Sequence, residues 1–110
     1  MQSFLFYTIL REIEERLVYV IMMYPYIILS DETEITHSHI LEKDGEIHVE
    51  VHFERPTEMG FDTARCSLPE YRWIKQEGFS KEEIDKFEEF LHYNAHLIFR
   101  FAQNGGICCA

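Results

Sequence analysis

The sequence predicts an α+β protein in which an antiparallel meander of three or four strands packs against one long C-terminal helix. The prediction rests on alternating apolar and polar residues between positions 24 and 68, on an Asp-Gly turn among them, and on a helical apolar stripe after residue 80. A chain of 110 residues, 46% of them hydrophobic, suffices for one core and is too short for two. We therefore expect a single domain over residues 1–110, with its core at 24–105.

The first 21 residues allow two interpretations. Leu5, Ile9 and Leu17 lie near helical spacing around the polar run REIEER, which predicts an amphipathic N-terminal helix. Alternatively, translation starts at Met22 or Met23, and residues 1–21 are an appended or wrongly assigned segment. The apolar run lacks the features of a signal peptide and is too short to span a bilayer, so we expect no membrane association.

The strands are expected at residues 24–30, 34–42, 46–54 and 61–68, where β-branched and aromatic residues alternate with polar ones. Asp44-Gly45 lies between two of these runs and predicts a hairpin. Pro56 lies in the segment 55–60, which we expect to interrupt the sheet.

The helix is the clearest element. Ser80 and Glu83 have the spacing of a capping box, and Gly105-Gly106 supply a stop. The core stripe is expected to comprise Ile84, Phe87, Leu91, Ala95, Ile98 and Ala102. A second apolar row lies beside it and, with one tyrosine, predicts a contact surface for a second copy or a partner: Phe90, Tyr93, Leu97 and Phe101. The alternative is that this row belongs to the protein's own core.

The charge and the cysteines bear on partners and compartment. The net charge of −10 argues against direct nucleic-acid binding, because phosphates would be repelled, and favours a basic protein partner. Cys66, Cys108 and Cys109 make an odd number that fits no disulfide framework, so we expect a reducing, cytoplasmic compartment. Cys108 and Cys109 are expected in an exposed tail.

The predicted hairpin of residues 34–54 contains four histidines, and its register decides on which face of the sheet His37 and His39 lie. If Asp44-Gly45 is a two-residue loop, Lys43 opposes Glu46. His37 then lies opposite His52, and His39 lies opposite Glu50. If the loop has three residues, Glu42 opposes Glu46 and both histidines turn toward the core. The apolar pattern slightly favours the second register, because it adds Ile35 and Leu41 to the core.

The first register would give a site for a divalent transition metal with imidazole and carboxylate ligands: His37, His39, Glu50 and His52. The competing interpretation is that the histidines are exposed on a solvated strand face and change its charge as the pH falls. No motif of a hydrolase, a phosphate-binding loop or a dithiol is present, and Cys66 is expected to be a buried apolar residue.

Tyr71, Arg72 and Trp73 form an aromatic and basic group in an acidic chain. Such residues are common in binding hot spots, so this segment is a second candidate contact surface. The alternative for Trp73 is that it fills the junction between sheet and helix.

Three segments, IHVEVHFE, ARCSLPEY and EGFSKEEIDKFEEFLHYNAHLI, resemble small bacterial proteins of a domain of unknown function. Such proteins pair a β-meander with a C-terminal helix opened by a Gly-Phe-Ser cap and are encoded in toxin–antitoxin-like or mobile-element neighbourhoods. The resemblance covers about residues 46–98, and no catalytic residue can be carried over from it. The net charge, the second apolar row of the helix and the Trp73 segment together predict a non-enzymatic, self-associating module that binds a basic protein, with a metal-dependent enzyme or metal sensor as the alternative.

Overall fold

The computed structural model describes residues 22–105. The elements follow in the order β1 (Met23–Ile28), β2 (Glu34–Ser38), β3 (Leu41–Lys43), β4 (Glu46–Thr57), β5 (Gly60–Leu68), β6 (Arg72–Glu77) and α1 (Lys81–Gln103). Every strand pairs antiparallel with its neighbour, in the order β1-β2-β4-β5-β6, and β3 pairs with β4. The predicted α+β fold is confirmed. The expected N-terminal helix and the Cys108-Cys109 tail lie outside the described residues.

The sheet does not break at residues 55–60 as the sequence predicted. Strand β4 continues through Pro56, which lies opposite Phe61, and only Glu58-Met59 form the turn. Proline is tolerated here because β2 pairs with β4 only as far as Glu54, so that β4 has β5 alone as a neighbour beyond that point.

Strand β6 occupies the segment that the sequence left without secondary structure between Pro69 and the helix. It pairs with β5, and its register shifts by one residue between Lys75, opposite Arg65, and Trp73, opposite Cys66. The bulge hides the alternation by which a strand is recognised in sequence.

The helix packs on one face of the sheet. The rings of Phe53 and Phe87 stack at 4.3 Å between centroids, and Trp73 lies 5.8 Å from Phe53. The predicted core stripe is confirmed, with Ala95 only half-buried. The capping box is also present, since Glu83 N donates to Ser80 Oγ at 3.1 Å and Ser80 N donates to Glu83 Oε1 at 2.9 Å. Within residues 22–105, no helix is long and apolar enough to cross a membrane.

Candidate functional site

The turn between β3 and β4, at the tip of the hairpin that carries the histidines, is the two-residue loop of the first predicted register. Lys43 lies opposite Glu46, and both Asp44 and Gly45 have the positive φ that a type I′ turn requires, 54° and 81°. The register with Glu42 opposite Glu46, which the apolar count slightly favoured, is therefore wrong at the tip.

One extra residue lies between the tip and the base of the hairpin. Leu41 pairs with His48, but His37 pairs with Val51, so that three residues of one strand, 38–40, face two of the other. Ser38 compensates for the broken ladder, because the backbone N–H of Glu50 donates to Ser38 Oγ at 3.0 Å. The bulge turns His37 to the helix face even though the loop is tight.

His37 is a core residue of the helix face. It is fully buried with Ile35, and its ring lies 5.8 Å from Tyr24 and 6.3 Å from Tyr26. Nδ1 lies 2.8 Å from the Ser38 carbonyl, to which it donates. Burial lowers the pKa of His37, although the hydrogen bond to Ser38 opposes the shift. The imidazole is therefore held neutral at physiological pH.

Glu50 and His52 lie on the opposite face of the sheet. His52 Nε2 donates to Glu50 Oε1 at 3.1 Å, and His52 is only 3% exposed. Burial raises the pKa of Glu50, but the hydrogen bond and charge of His52, with weaker contributions from His48 and Arg72, outweigh burial and leave the pKa below its ordinary value. Glu50 is therefore a half-buried carboxylate that keeps its charge at neutral pH.

The four residues predicted as metal ligands do not converge. His37 faces the helix, Glu50 and His52 face the other way, and His39 lies in the bulge. Among residues 22–105, no three His, Cys, Asp or Glu side chains are placed to hold a metal ion. The bulge separates the ligands, because it moves strand β2 by one residue relative to the register in which they would meet.

A cleft of about 1190 Å³ lies on this second face, between the β3–β4 hairpin and the turn from β5 to β6. Carboxylates dominate its charge, five against two cationic side chains, Lys43 and Arg72. The carboxylates are those of Glu42, Asp44, Glu46, Glu50 and Glu70. The cleft is thus a concave acidic surface in a protein that is acidic throughout.

Two polar atoms of the cleft wall lack hydrogen bonds. Ser67 lines the cleft and is 1% exposed, yet its Oγ has no partner within the part of the chain that the structure describes. The same holds for Nδ1 of His39. Buried hydroxyl and imidazole nitrogen atoms are rarely left without a partner. Both atoms are themselves buried, so they lie behind the cleft wall and present no surface to a ligand in the cleft.

Within residues 22–105, Glu50, His52 and Ser67 are not joined by hydrogen bonds into a triad. Glu50 and His52 resemble the acid and base of a triad, but Ser67 Oγ makes no hydrogen bond to His52 or to any other described residue. Cys66 is fully buried, as the sequence predicted, and burial, with the charges of Glu88 and Glu70, raises its pKa to about 12. A thiol in that state is a poor nucleophile.

Within the Tyr71-Arg72-Trp73 group, two residues contact the helix and one lines the cleft. Trp73 is half-buried and its Nε1 donates to Glu88 of the helix at 2.9 Å, while Tyr71 stacks on His92 with centroids 4.0 Å apart. These two rings join the sheet to the helix. Arg72 alone remains on the surface, with its side chain 64% exposed, and it lines the cleft.

The second apolar row of the helix is partly covered by strand β1. Tyr26 lies 6.1 Å from both Phe90 and Phe101, between centroids, and its hydroxyl donates to Asn94 at 2.7 Å. Phe90, Leu97 and Phe101 are half-buried, and Tyr93 is 74% exposed. Self-association through this row stays a prediction.

Comparison of the chain with protein-family models, with curated proteins and with solved structures gave no match. The resemblance to small bacterial proteins of unknown function therefore stays an expectation from the sequence.

Sequence reasoning missed Ser67, His48 and Arg72 as neighbours in one cleft. Ser67 follows Cys66 in a strand, so alternation alone could have put it on the polar face opposite Glu50. Arg72 could not be placed, because its strand was not recognised.

Proposed function

We propose that the protein is a non-enzymatic binding module whose acidic cleft receives a basic segment of a protein partner. The charge of the cleft carries the proposal: five carboxylates and two cationic side chains line one concavity of about 1190 Å³. A concave acidic surface concentrates the field of its charges and speeds the approach of a cation.

The size of the cleft favours a polypeptide segment over a small ligand. Pockets for small molecules occupy roughly 300 to 1,000 Å³, and this cleft is larger. Its walls also carry more charge than those of a typical small-molecule pocket, because side chains such as Glu46 and Glu70 lie beside apolar ones such as Ile47.

The net charge of −10 selects the chemical class of the partner. A nucleic acid would be repelled, since affinity for phosphates comes from clustered Lys and Arg. A lysine- or arginine-rich peptide would be attracted from any direction and retained where the carboxylates are densest.

The test is the binding of a fluorescein-labelled basic peptide that contains both arginine and lysine, followed by fluorescence anisotropy. We expect saturable binding that weakens as the salt concentration rises from about 50 to about 200 mM, because surface charges are screened. A peptide with serine in place of the basic residues should not bind.

A matched pair of variants locates the site. The double substitution Glu46→Lys and Glu70→Lys reverses two charges in the cleft and should weaken binding by at least tenfold. The control, Glu82→Lys with Glu89→Lys, makes the same change in net charge on the exposed face of the helix. Equal losses in both variants, or no binding by the unmodified protein, would contradict the proposal.

A further inference from the structure

The face of the sheet opposite helix α1, here called the second face, has buried side chains that no described helix covers. Side chains alternate along a strand, so the neighbours of the core residues Val51, Phe53 and Ala64 project from this face. Those that are at most 6% exposed lie on β1, β2, β4 and β5: Met23, Thr36, His52, Glu54 and Thr63. Among residues 22–105, the only helix packs on the other face.

The burial of polar side chains on the second face requires a further layer of protein. An antiparallel sheet that faces water on one side exposes the side chains of that side. Glu54 accepts a hydrogen bond from Thr63 Oγ1 at 3.3 Å, and both side chains are nearly without exposed surface. Because threonine and glutamate are mostly exposed in folded proteins, burial of this pair indicates atoms packed directly on it.

Met23 shows that the layer is apolar at the edge of the sheet. Its side chain has no exposed surface, although β1 is an edge strand with β2 as its neighbour. Met23 pairs with Ser38 and lies outside the apolar cluster under α1. A fully buried apolar side chain contacts several other residues, so the layer places apolar side chains beside the start of β1.

The position and length of residues 1–21 fit this layer. They lead directly into Met22 and Met23, at the edge of the second face. As a helix they would be about 30 Å long, whereas the four strands β1, β2, β4 and β5 together are about 15 Å wide. One such helix is therefore long enough to cross the buried part of the face.

The chemistry of residues 1–21 also matches the face. Ile9, Ile13 and Leu17 recur at helical spacing and give the segment one apolar side, which suits Met23. Arg16 follows Ile13 by three positions and so borders that side, where a cation can stabilise the buried Glu54 carboxylate.

We propose that residues 1–21 pack as an amphipathic helix on the second face, so that the sheet lies between two helices. The N-terminal residues are then part of the fold and not an appended segment. This inference is independent of the function proposed for the cleft.

The first test measures how accessible the second face is in the full chain. Thr63→Cys places a thiol on that face, in a Cys108→Ser and Cys109→Ser background in which the remaining Cys66 is buried. We expect this thiol to react with a maleimide at least about tenfold more slowly than a thiol introduced by His96→Cys at an exposed helix position. Equal rates would overturn the proposal.

Two matched variants identify the segment as the cover. Ile9→Glu with Ile13→Glu puts charge on the apolar side of residues 1–21 and should raise the labelling rate of Thr63→Cys at least about tenfold. The control, Thr8→Glu with Val18→Glu, makes the same change in net charge on the opposite side and should leave the rate unchanged. The same rate in both variants would contradict the proposal.

Cross-linking decides the question if the variant with glutamate at positions 9 and 13 fails to fold. Oxidation with copper phenanthroline should join Thr63→Cys to at least one of Ile9→Cys, Ile13→Cys and Leu17→Cys within one chain, and not to Val18→Cys. A disulfide between two chains would assign the layer to a second copy, and both that result and the absence of any cross-link would overturn the proposal.

Discussion

Arg55 Nη1 donates to Glu83 Oε2 at 2.6 Å and so ties the C-terminal end of strand β4 to the first turn of the helix. The same guanidinium reaches Asp62 at 2.7 Å and Asp31 at 3.2 Å, and it lies 4.7 Å above the ring of Phe79. Its hydrogen bonds to Glu83 and Asp62 raise the pKa of Arg55 further above its already high value. Three carboxylates therefore share one cation where sheet, turn and helix meet.

Arg55→Met should lower the free energy of unfolding by about 1 to 3 kcal/mol, because it leaves three carboxylates close together without their common donor. Urea denaturation measures the change. Arg100→Met, on an exposed helix position, should change it by no more than about 0.5 kcal/mol. A double-mutant cycle with Glu83→Gln should give a coupling energy of at least about 0.5 kcal/mol; additive effects would count against the ion pair.

Gly78→Ala should destabilise the protein more than Gly60→Ala. Both glycines have positive φ, 93° and 144°, so an alanine at either position would strain the backbone. A Cβ at Gly78 would also overlap the carboxylate of Asp62, whereas Gly60 has nothing within 4 Å. Because Asp62 would have to leave Arg55, we expect an additional loss of about 1 to 2 kcal/mol, measured as a lower urea midpoint. Equal losses would show that Asp62 moves freely.

The free energy of unfolding should fall as the pH drops below about 6.5. His37 has a lowered pKa when folded, so the unfolded chain takes up the proton first. The stabilisation is thus complete above the unfolded pKa and is lost as the pH falls toward the folded one, by up to about 1.4 kcal/mol per pH unit.

The pH dependence can be assigned with two substitutions. His37→Gln keeps a donor for the Ser38 carbonyl but cannot be protonated. The free energy of unfolding of this variant should therefore depend less on pH below about 6.5. His96→Gln, at an exposed helix position, should leave the slope unchanged. A slope that survives His37→Gln would assign the effect to another group.

Cys66 should react with a thiol reagent only when the protein unfolds. Burial raises its pKa to about 12, and the side chain is fully inaccessible. In a Cys108→Ser and Cys109→Ser background, the labelling rate at pH 8 should stay far below that of a free thiol and should rise with urea. Rapid labelling of the native protein would place the thiol within reach of solvent.

The sequence contained enough to predict the helix. The side chains of Ser80 and Glu83 each accept a hydrogen bond from the other's backbone N–H, and Phe87, Leu91 and Ile98 repeat at helical spacing. Short-range interactions therefore specify the helix. The turn at Asp44-Gly45 was equally local, since both positive φ values are favoured by those two residue types.

The rest of the candidate site depended on interactions that no local pattern records. The bulge at 38–40 is stabilised by the bond between Ser38 and the Glu50 backbone, twelve positions along the chain. Strand β6 was hidden by its own bulge at Ile74. Because of these two irregularities, neither the placement of His37 nor the pairing of Ser67 with Arg72 could be read from alternation.

Because of the bulge at 38–40, the β3–β4 tip of the hairpin can be changed without changing its β2–β4 base. Since the phase of the pleat is reset there, residues 42–48 can be exchanged, or the turn lengthened, without altering which side chains the base sends into the interior. A peptide graft is therefore best introduced at this tip, where a change of length or sequence stays local.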